Sequence, residues 1–537
     1  MSRLSALKGP LYLLPIALLT VVPLLVVLAS FLNPQPEIWA HLSEYVLPRV
    51  LLNTLWLVIG VSAGVLLLGV PLAWLTAVCE FPGRRFFGWA LMLPLAMPAY
   101  VLAFVQVGLL DFTGPVQTQL RAWFGGPVWF PPIRSTGGVI LVLSLSFYPY
   151  VYLLARNAFV TQGVRALEAA QTLGLNRWQA FWRVALPLAR PWIVGGVMLA
   201  LMETLADFGT VSVFNYDTFT TAIYKSWFAL FNLPAAAQLA SLLVLLVLVL
   251  AVVEQKSRGR RQYHARAAGR ARIALKGWRG ALAAGCCWLV LLVAFLIPLL
   301  QLLLWVKGVW AEDFDDRYPG FIGRSLLLGA LAALVITLMA LWLGFVQRRY
   351  RGVSGGMLVQ LMGRLAVLGY AVPGTVLAVG VFIPVAWLDG LLLAWLQPLG
   401  FSGVEVLKGS LAVLLLALAA RFLVVGHQPV ESAMQRITRN QEDAARLAGC
   451  SGRALLWRLY VPLLRGGLFT ALLMVFVDVM KEMPITLMTR PFGWDTLAVR
   501  VFEMTSEGMW ERAALPSLFI VLAGLLPVIL LVRRSEG

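Results

Sequence analysis

The chain has 537 residues, of which 60% are hydrophobic and 13% charged, with a mean hydropathy of +0.84 and a formal net charge of +18 at pH 7. Such proportions exclude an ordinary soluble domain and describe a polytopic membrane protein. The apolar residues run continuously rather than in alternation, so the spans are helices and not the strands of a closed barrel.

Segments able to cross a bilayer are expected at 11–32, 50–79, 87–110, 137–160, 187–207 and 236–254. A second set follows at 281–306, 322–346, 357–386, 408–430, 463–483 and 513–533. At about 20 residues per span this makes about twelve helices. Pro94, Pro98 and Pro373 interrupt the third and ninth, where partner helices or water must replace the lost hydrogen bonds. The first span follows Arg3 and Lys8 as a secretory signal would, but its apolar run is too long and lacks a small-residue cleavage site, so it is expected to remain as an anchor.

Arg84 and Arg85, the stretch from Arg177 to Arg190, Arg348, Arg349 and Arg351, and Arg533 with Arg534 all fall on one side of this layout. The positive-inside rule makes that side cytoplasmic and puts both termini there. The acidic AEDFDDR at 311–317 falls on the other side. Net charge therefore reflects membrane orientation and does not imply nucleic acid. The basic stretch EQKSRGRRQYHARAAGRARIALKGWR at 254–279 reads as a solvated connector, with lipid headgroups as the alternative partner. Four cysteines suggest no disulfide framework, and His41, His264 and His427 show no metal-ligand spacing, so no metal site is expected.

Two polar stretches interrupt the apolar pattern: EAAQTLGLNRWQAFWRVALP at 168–187 and DAARLAGCSGRALLWRLYVP at 443–462. Gly174 falls on Gly449 at a separation of 449 − 174 = 275, and the same separation pairs Glu168 with Asp443, Pro187 with Pro462, Pro98 with Pro373 and Asp207 with Glu482. The chain is read as a tandem duplication: a first repeat at 1–254, a basic linker at 255–280 and a second repeat at 281–537. Six spans per repeat is an even number, so both copies enter the bilayer in the same sense. The expected fold is all-α, two parallel six-helix repeats related by a pseudo-two-fold axis along the membrane normal. Both polar stretches then face the cytoplasm.

Each stretch reads as a short helix ended by a left-handed glycine, Gly174 or Gly449, followed by a second helix with Asn176 or Ser451 as its N-cap. Trp178, Phe181, Trp182 and Ala185 share one face of that second helix, and Pro187 and Pro462 begin the next spans. Such an elbow, present twice, offers two equivalent handles to a two-fold partner. A plain amphipathic connection between spans is the other reading.

The pattern E-A-A-x-x-x-G, followed by apolar positions and L-P, resembles the EAA loop of binding-protein-dependent ABC importer permeases. The fused twelve-span layout, with ETLADFGTVSVFNYDTFTTAIYKSW at 203–227, is most similar to ferric-iron permeases. The resemblance implies coupling helices that dock into grooves on two ABC ATPase subunits: Glu168, Ala169, Ala170, Leu173 and Gly174 on one, and Asp443, Ala444, Ala445, Ala448 and Gly449 on the other. It implies an extracytoplasmic substrate-binding protein, residence in the inner membrane among its lipids, and no cofactor held by this chain, with ATP and Mg bound by the partner ATPases. Asp443 and Val461 depart from the pattern of Glu and Leu. Thiamine permeases share the fused layout, and permeases for other small solutes share the loop.

Glu203 and Asp207 on the fifth span, and Asp478, Lys481 and Glu482 on the eleventh, are costly charges within apolar surroundings. Two readings stand: a pathway or gate that attracts a hard cation, or structural carboxylates pairing with Lys481 or with free backbone groups at helix ends. Arg421, within the tenth span, calls for an acidic partner. No G-x-x-x-x-G-K-[ST] loop occurs, so nucleotide hydrolysis by that route is not expected of this chain, and no catalytic pairing stands out. An ion-coupled secondary transporter would share the repeats and carboxylates but would not need paired cytoplasmic elbows.

Overall fold

The computed structural model describes residues 3–32, 36–126, 128–163, 170, 172, 174–258, 272–315, 317–351, 355–399, 403 and 405–536. Among them, twelve helices are long and apolar enough to cross a membrane. In chain order these spans are Gly9–Leu32, Pro36–Val78, Ala99–Phe124, Thr136–Thr161, Phe181–Ala206, Leu233–Leu250, Trp278–Asp313, Tyr318–Arg349, Gly374–Leu399, Leu411–Met434, Arg453–Lys481 and Trp510–Pro527.

The prolines of the third and ninth spans do not kink a continuous helix, as the sequence suggests. Separate short helices, Arg84–Ala90 and Gly356–Ala366, come first, and the chain restarts with Pro98 and Pro373 as N-caps of Ala99–Leu110 and Gly374–Leu396. The two prolines have nearly the same backbone, φ −56° and ψ 145° against φ −55° and ψ 143°. A residue with fixed φ and no amide hydrogen costs least where the first amides of a helix have no intrahelical partner anyway.

Two compact units emerge, and each draws on both sequence repeats. One comprises Met1–Pro36, Ile223–Ser241 and Phe314–Arg500; the other comprises Glu37–Ala222, Leu242–Asp313 and Val501–Gly537. In the first unit the N-terminal span packs on the short helix Gly356–Ala366, the eighth span and the ninth: Thr20 Oγ1 donates to the Ala366 carbonyl at 3.0 Å, Trp342 Nε1 donates to the Tyr12 carbonyl at 3.3 Å, and Gly380 lies against Pro23. In the second unit the seventh span packs on the third: Gln106 Nε2 donates to the Val293 carbonyl at 3.0 Å, and Trp305 stacks on Phe104. The leading span of each repeat thus packs with helices of the other repeat.

Close backbone approach makes the first of these contacts possible. A Cβ at Gly380 would stand 2.6 Å from the Pro23 carbonyl oxygen, a backbone atom that cannot swing aside. Gly380→Leu is expected to lift the first span and cost about 1–3 kcal/mol, as overpacking does. Gly390→Leu, where a Cβ meets nothing within 4 Å, is the control. Thermal unfolding in detergent should separate the two variants, and equal melting temperatures would contradict this packing.

The basic linker is not wholly a free connector. Its end forms a two-residue parallel pair, Ile273–Ala274 against Cys79–Glu80, and Leu275 N donates to the Glu80 carbonyl at 2.9 Å. The Glu80 carboxylate lies 3.0 Å from Arg84 Nε and 3.4 Å from Arg272 Nη1, so two cations from different segments share one acid.

Candidate functional site

In the second polar stretch a helix runs over Arg439–Leu447. Thr438 begins it with a capping box: its Oγ1 accepts from Gln441 N at 3.4 Å, and Gln441 Oε1 accepts from Thr438 N at 3.0 Å. Gly449 ends it at φ 85°, and Cys450 N donates to the Ala445 carbonyl at 2.9 Å. The first stretch closes in the same way, with Gly174 at φ 83° and Leu175 N donating to the Ala170 carbonyl at 3.0 Å. Six-residue closure onto a left-handed glycine is the Schellman end that the sequence spacing suggests.

Asp443, Ala444, Leu447, Ala448 and Gly449 are exposed, Leu447 at 91%, and Ala445 is half-buried. Asp443 pairs with Arg446 at 3.5 Å on this open surface. Of the first stretch, Ala170 is buried and Gly174 exposed, while Glu168, Ala169 and Leu173 lie outside the described residues. A Cβ on either glycine would meet nothing within 4 Å, so what reserves these positions for glycine within the chain is backbone handedness and not space.

Past the glycines the two copies diverge. Asn176 is an N-cap as expected: its Oδ1 accepts from Gln179 N at 2.8 Å, and Gln179 Oε1 accepts from Asn176 N at 3.2 Å. Ser451 is not; Gly452 takes the cap position, at φ 54° and without a side-chain bond. Nor is the helix that follows a separate amphipathic element. It widens into a π-turn, Phe181–Ala185 or Leu456–Tyr460, and continues into the fifth or eleventh span. Pro187 and Pro462 sit just beyond the turn, and its i to i+5 bonding, Leu186 N to Phe181 O and Val461 N to Leu456 O, carries the helix up to a residue with no amide hydrogen. Phe181 packs on Trp74 with ring centroids 4.6 Å apart and Ala185 is buried, whereas Trp182 is exposed; the Trp178 side chain lies outside the description.

The spans that follow both break at an acid. Asp207 caps the short helix Gly209–Val213, its Oδ1 accepting from Thr210 Oγ1 at 2.8 Å and its Oδ2 from Val211 N at 3.0 Å. Glu482 does the same for Pro484–Thr489, with Oε1 accepting from Ile485 N at 2.8 Å and Oε2 from Thr486 N at 3.0 Å and Thr486 Oγ1 at 2.9 Å. Both acids have extended backbones, φ −65° and ψ 129° against φ −71° and ψ 125°. Of the two sequence readings, this geometry supports carboxylates engaged with free amides at helix starts. Glu203, Asp478 and Lys481 are half-buried on the preceding turns.

Arg421 is brought toward Glu482. The Arg421 Nη1 and Glu482 Oε1 atoms flank Gly374, where an added Cβ would lie 3.2 Å from the carboxylate oxygen and 3.0 Å from Pro484. Arg421 Nε and Nη1 find no hydrogen-bond acceptor among the described residues, so the attraction to Glu482 acts through space.

Residues 69–261 match the family model described as binding-protein-dependent transport system inner membrane component. The chain is similar to the Fe(3+)-transport system permease protein FbpB 2 of Haemophilus influenzae, at 26% identity over 91% of this chain and 90% of that protein. It is similar to the molybdenum transport system permease protein ModB of Escherichia coli strain K12, at 30% identity over 34% of this chain and 80% of that protein. The sulfate transport system permease protein CysT of the same organism is 28% identical over 34% of this chain and 66% of its own length. With its twelve apolar helices, the chain therefore belongs to the family of binding-protein-dependent transport system inner membrane components, the permease subunits of ABC importers.

Proposed function

We propose that this chain is the fused permease of an importer for ferric ion, which an extracytoplasmic binding protein hands over. Two ATPase subunits, holding ATP and Mg, grip the stretches at 168–174 and 443–449 from the cytoplasm, where both termini also lie. The observation that carries the cargo assignment is extent: similarity to the H. influenzae ferric permease runs through both repeats, whereas similarity to the molybdenum permease covers about one repeat. The twin Schellman ends support the coupling assignment, because the two stretches close alike at corresponding positions. Closure of the ATPases would then move both handles and open the path alternately to the two faces of the membrane.

The test is uptake into proteoliposomes by the complex of this chain with its ATPase, offered ferric ion on a ferric-binding protein or thiamine on a thiamine-binding protein. ATP-dependent accumulation of iron, abolished by vanadate and insensitive to a protonophore, is expected. Accumulation of thiamine alone would reassign the cargo, and uptake that follows the proton gradient without ATP would reassign the mechanism.

A further inference from the structure

Glu442 precedes the second handle's Asp443 and, unlike it, is buried. Its Oε1 accepts from Arg348 Nε, at the penultimate position of the helix Tyr318–Arg349. The same guanidinium donates through Nη1 to the Met434 carbonyl and through Nη2 to the Ile437 carbonyl. One side chain thus ties together the end of the eighth span, the end of the tenth span, the turn after it and the first turn of the handle. The buried Tyr460 hydroxyl reaches the same carboxylate, and its ring packs edge-on against Phe345 at 5.5 Å.

The first repeat carries different residues at the matching positions. At the separation of 275, Arg348 falls on Ala73, within the helix Leu47–Val78. At the separation that aligns the handles, Glu442 falls on Leu167 and Tyr460 on Ala185, while Thr438 and Gln441 of the capping box fall on Gly163 and Ala166. None of these first-repeat side chains can form an ion pair or a side-chain hydrogen bond. Among the described residues nearby, Trp74 meets Phe159 at 5.2 Å and Phe181 at 4.6 Å.

We propose that Arg348 is a positioning residue that staples the second handle to the eighth and tenth spans through Glu442 and two carbonyls. A planar fork with three fixed acceptors resists both sliding and tilting of the handle against the span ends. The proposal rests on the coupling role assigned above.

The test uses the complex of this chain with its ATPase in proteoliposomes, with ferric ion on a ferric-binding protein as the probe. Arg348→Gln and Glu442→Gln should each lower uptake per ATP hydrolysed by about tenfold. The double variant should be no worse than the weaker single, since both break one joint. Arg348→Lys keeps the charge but cannot span three acceptors, so it should recover the melting temperature and not the coupling; it also serves if the Gln variant fails to accumulate. Arg349→Gln, exposed next door, should transport normally. Uptake per ATP within about twofold of the parent in Arg348→Gln, or full recovery of coupling in Arg348→Lys, would overturn the staple. Wild-type complex that shows no ATP-dependent uptake would overturn the coupling role beneath it, an outcome distinguishable from failure of the variants alone.

Discussion

Gly449→Val is expected to reduce ATP-driven uptake severely while leaving the chain in the membrane. At φ 85° a residue with a Cβ pays about 1–2 kcal/mol, and a β-branched one more, so the handle would leave its Schellman end by a factor of at least about 5 to 30 in population. The free chain has room for the side chain, because a Cβ there meets nothing within 4 Å. A graded series separates backbone handedness from collision with a partner. Handedness predicts Asn best, Ala intermediate and Val worst, since asparagine tolerates the left-handed region. Collision predicts Ala best, because it is smallest. Gly174, at φ 83°, should follow the same order. ATPase stimulation by loaded binding protein should fall with uptake in each variant, and unchanged stimulation in Gly449→Val would show that the elbow does not couple.

Glu482→Ala should be the most damaging single change to the fold. It removes acceptors from Ile485 N, Thr486 N and Thr486 Oγ1 at once and leaves the Arg421 guanidinium without its neighbouring carboxylate. Breaking a buried charged arrangement from one side costs about 3–5 kcal/mol. A melting temperature many degrees lower and uptake near background are expected. Glu482→Gln should be milder, because its amide oxygen still accepts from one amide while its NH₂ opposes another donor. Asp207→Asn, in a site with two donors rather than three, should be milder still. If Glu482→Ala melts with the parent chain but does not transport, the acid serves the pathway and not the helix start.

What the sequence reveals here is what is local. The left-handed glycines follow from six-residue spacing, and the spans follow from apolar length. The pairing of Pro98 with Pro373 is visible as a repeat, although both residues read as interruptions inside helices and not as their beginnings. Asp207 and Glu482 each precede by three and four residues the groups that donate to them, a spacing visible in D-F-G-T-V and E-M-P-I-T and in keeping with the reading of carboxylates at helix ends. Arg348 and Glu442 give no such sign. They are 94 residues apart and meet only because three helix ends converge. The packing of the first span beside the ninth is equally hidden, because an apolar helix face does not declare which partner it will meet. Gly9, whose Cβ would lie 2.8 Å from Tyr350 and Val359, reads in sequence as an ordinary glycine.

That exchange of leading helices has a consequence for biosynthesis. One unit needs the segment Met1–Pro36 together with chain up to Arg500, and the other needs Glu37–Ala222 together with Val501–Gly537. The earliest helix to leave the ribosome must wait in the lipid for companions made several hundred codons later, and neither core can be completed until translation has almost ended. Premature termination before Arg500 would strand both cores unfinished, so such a truncated product would be a substrate for membrane proteolysis and not a half-working transporter.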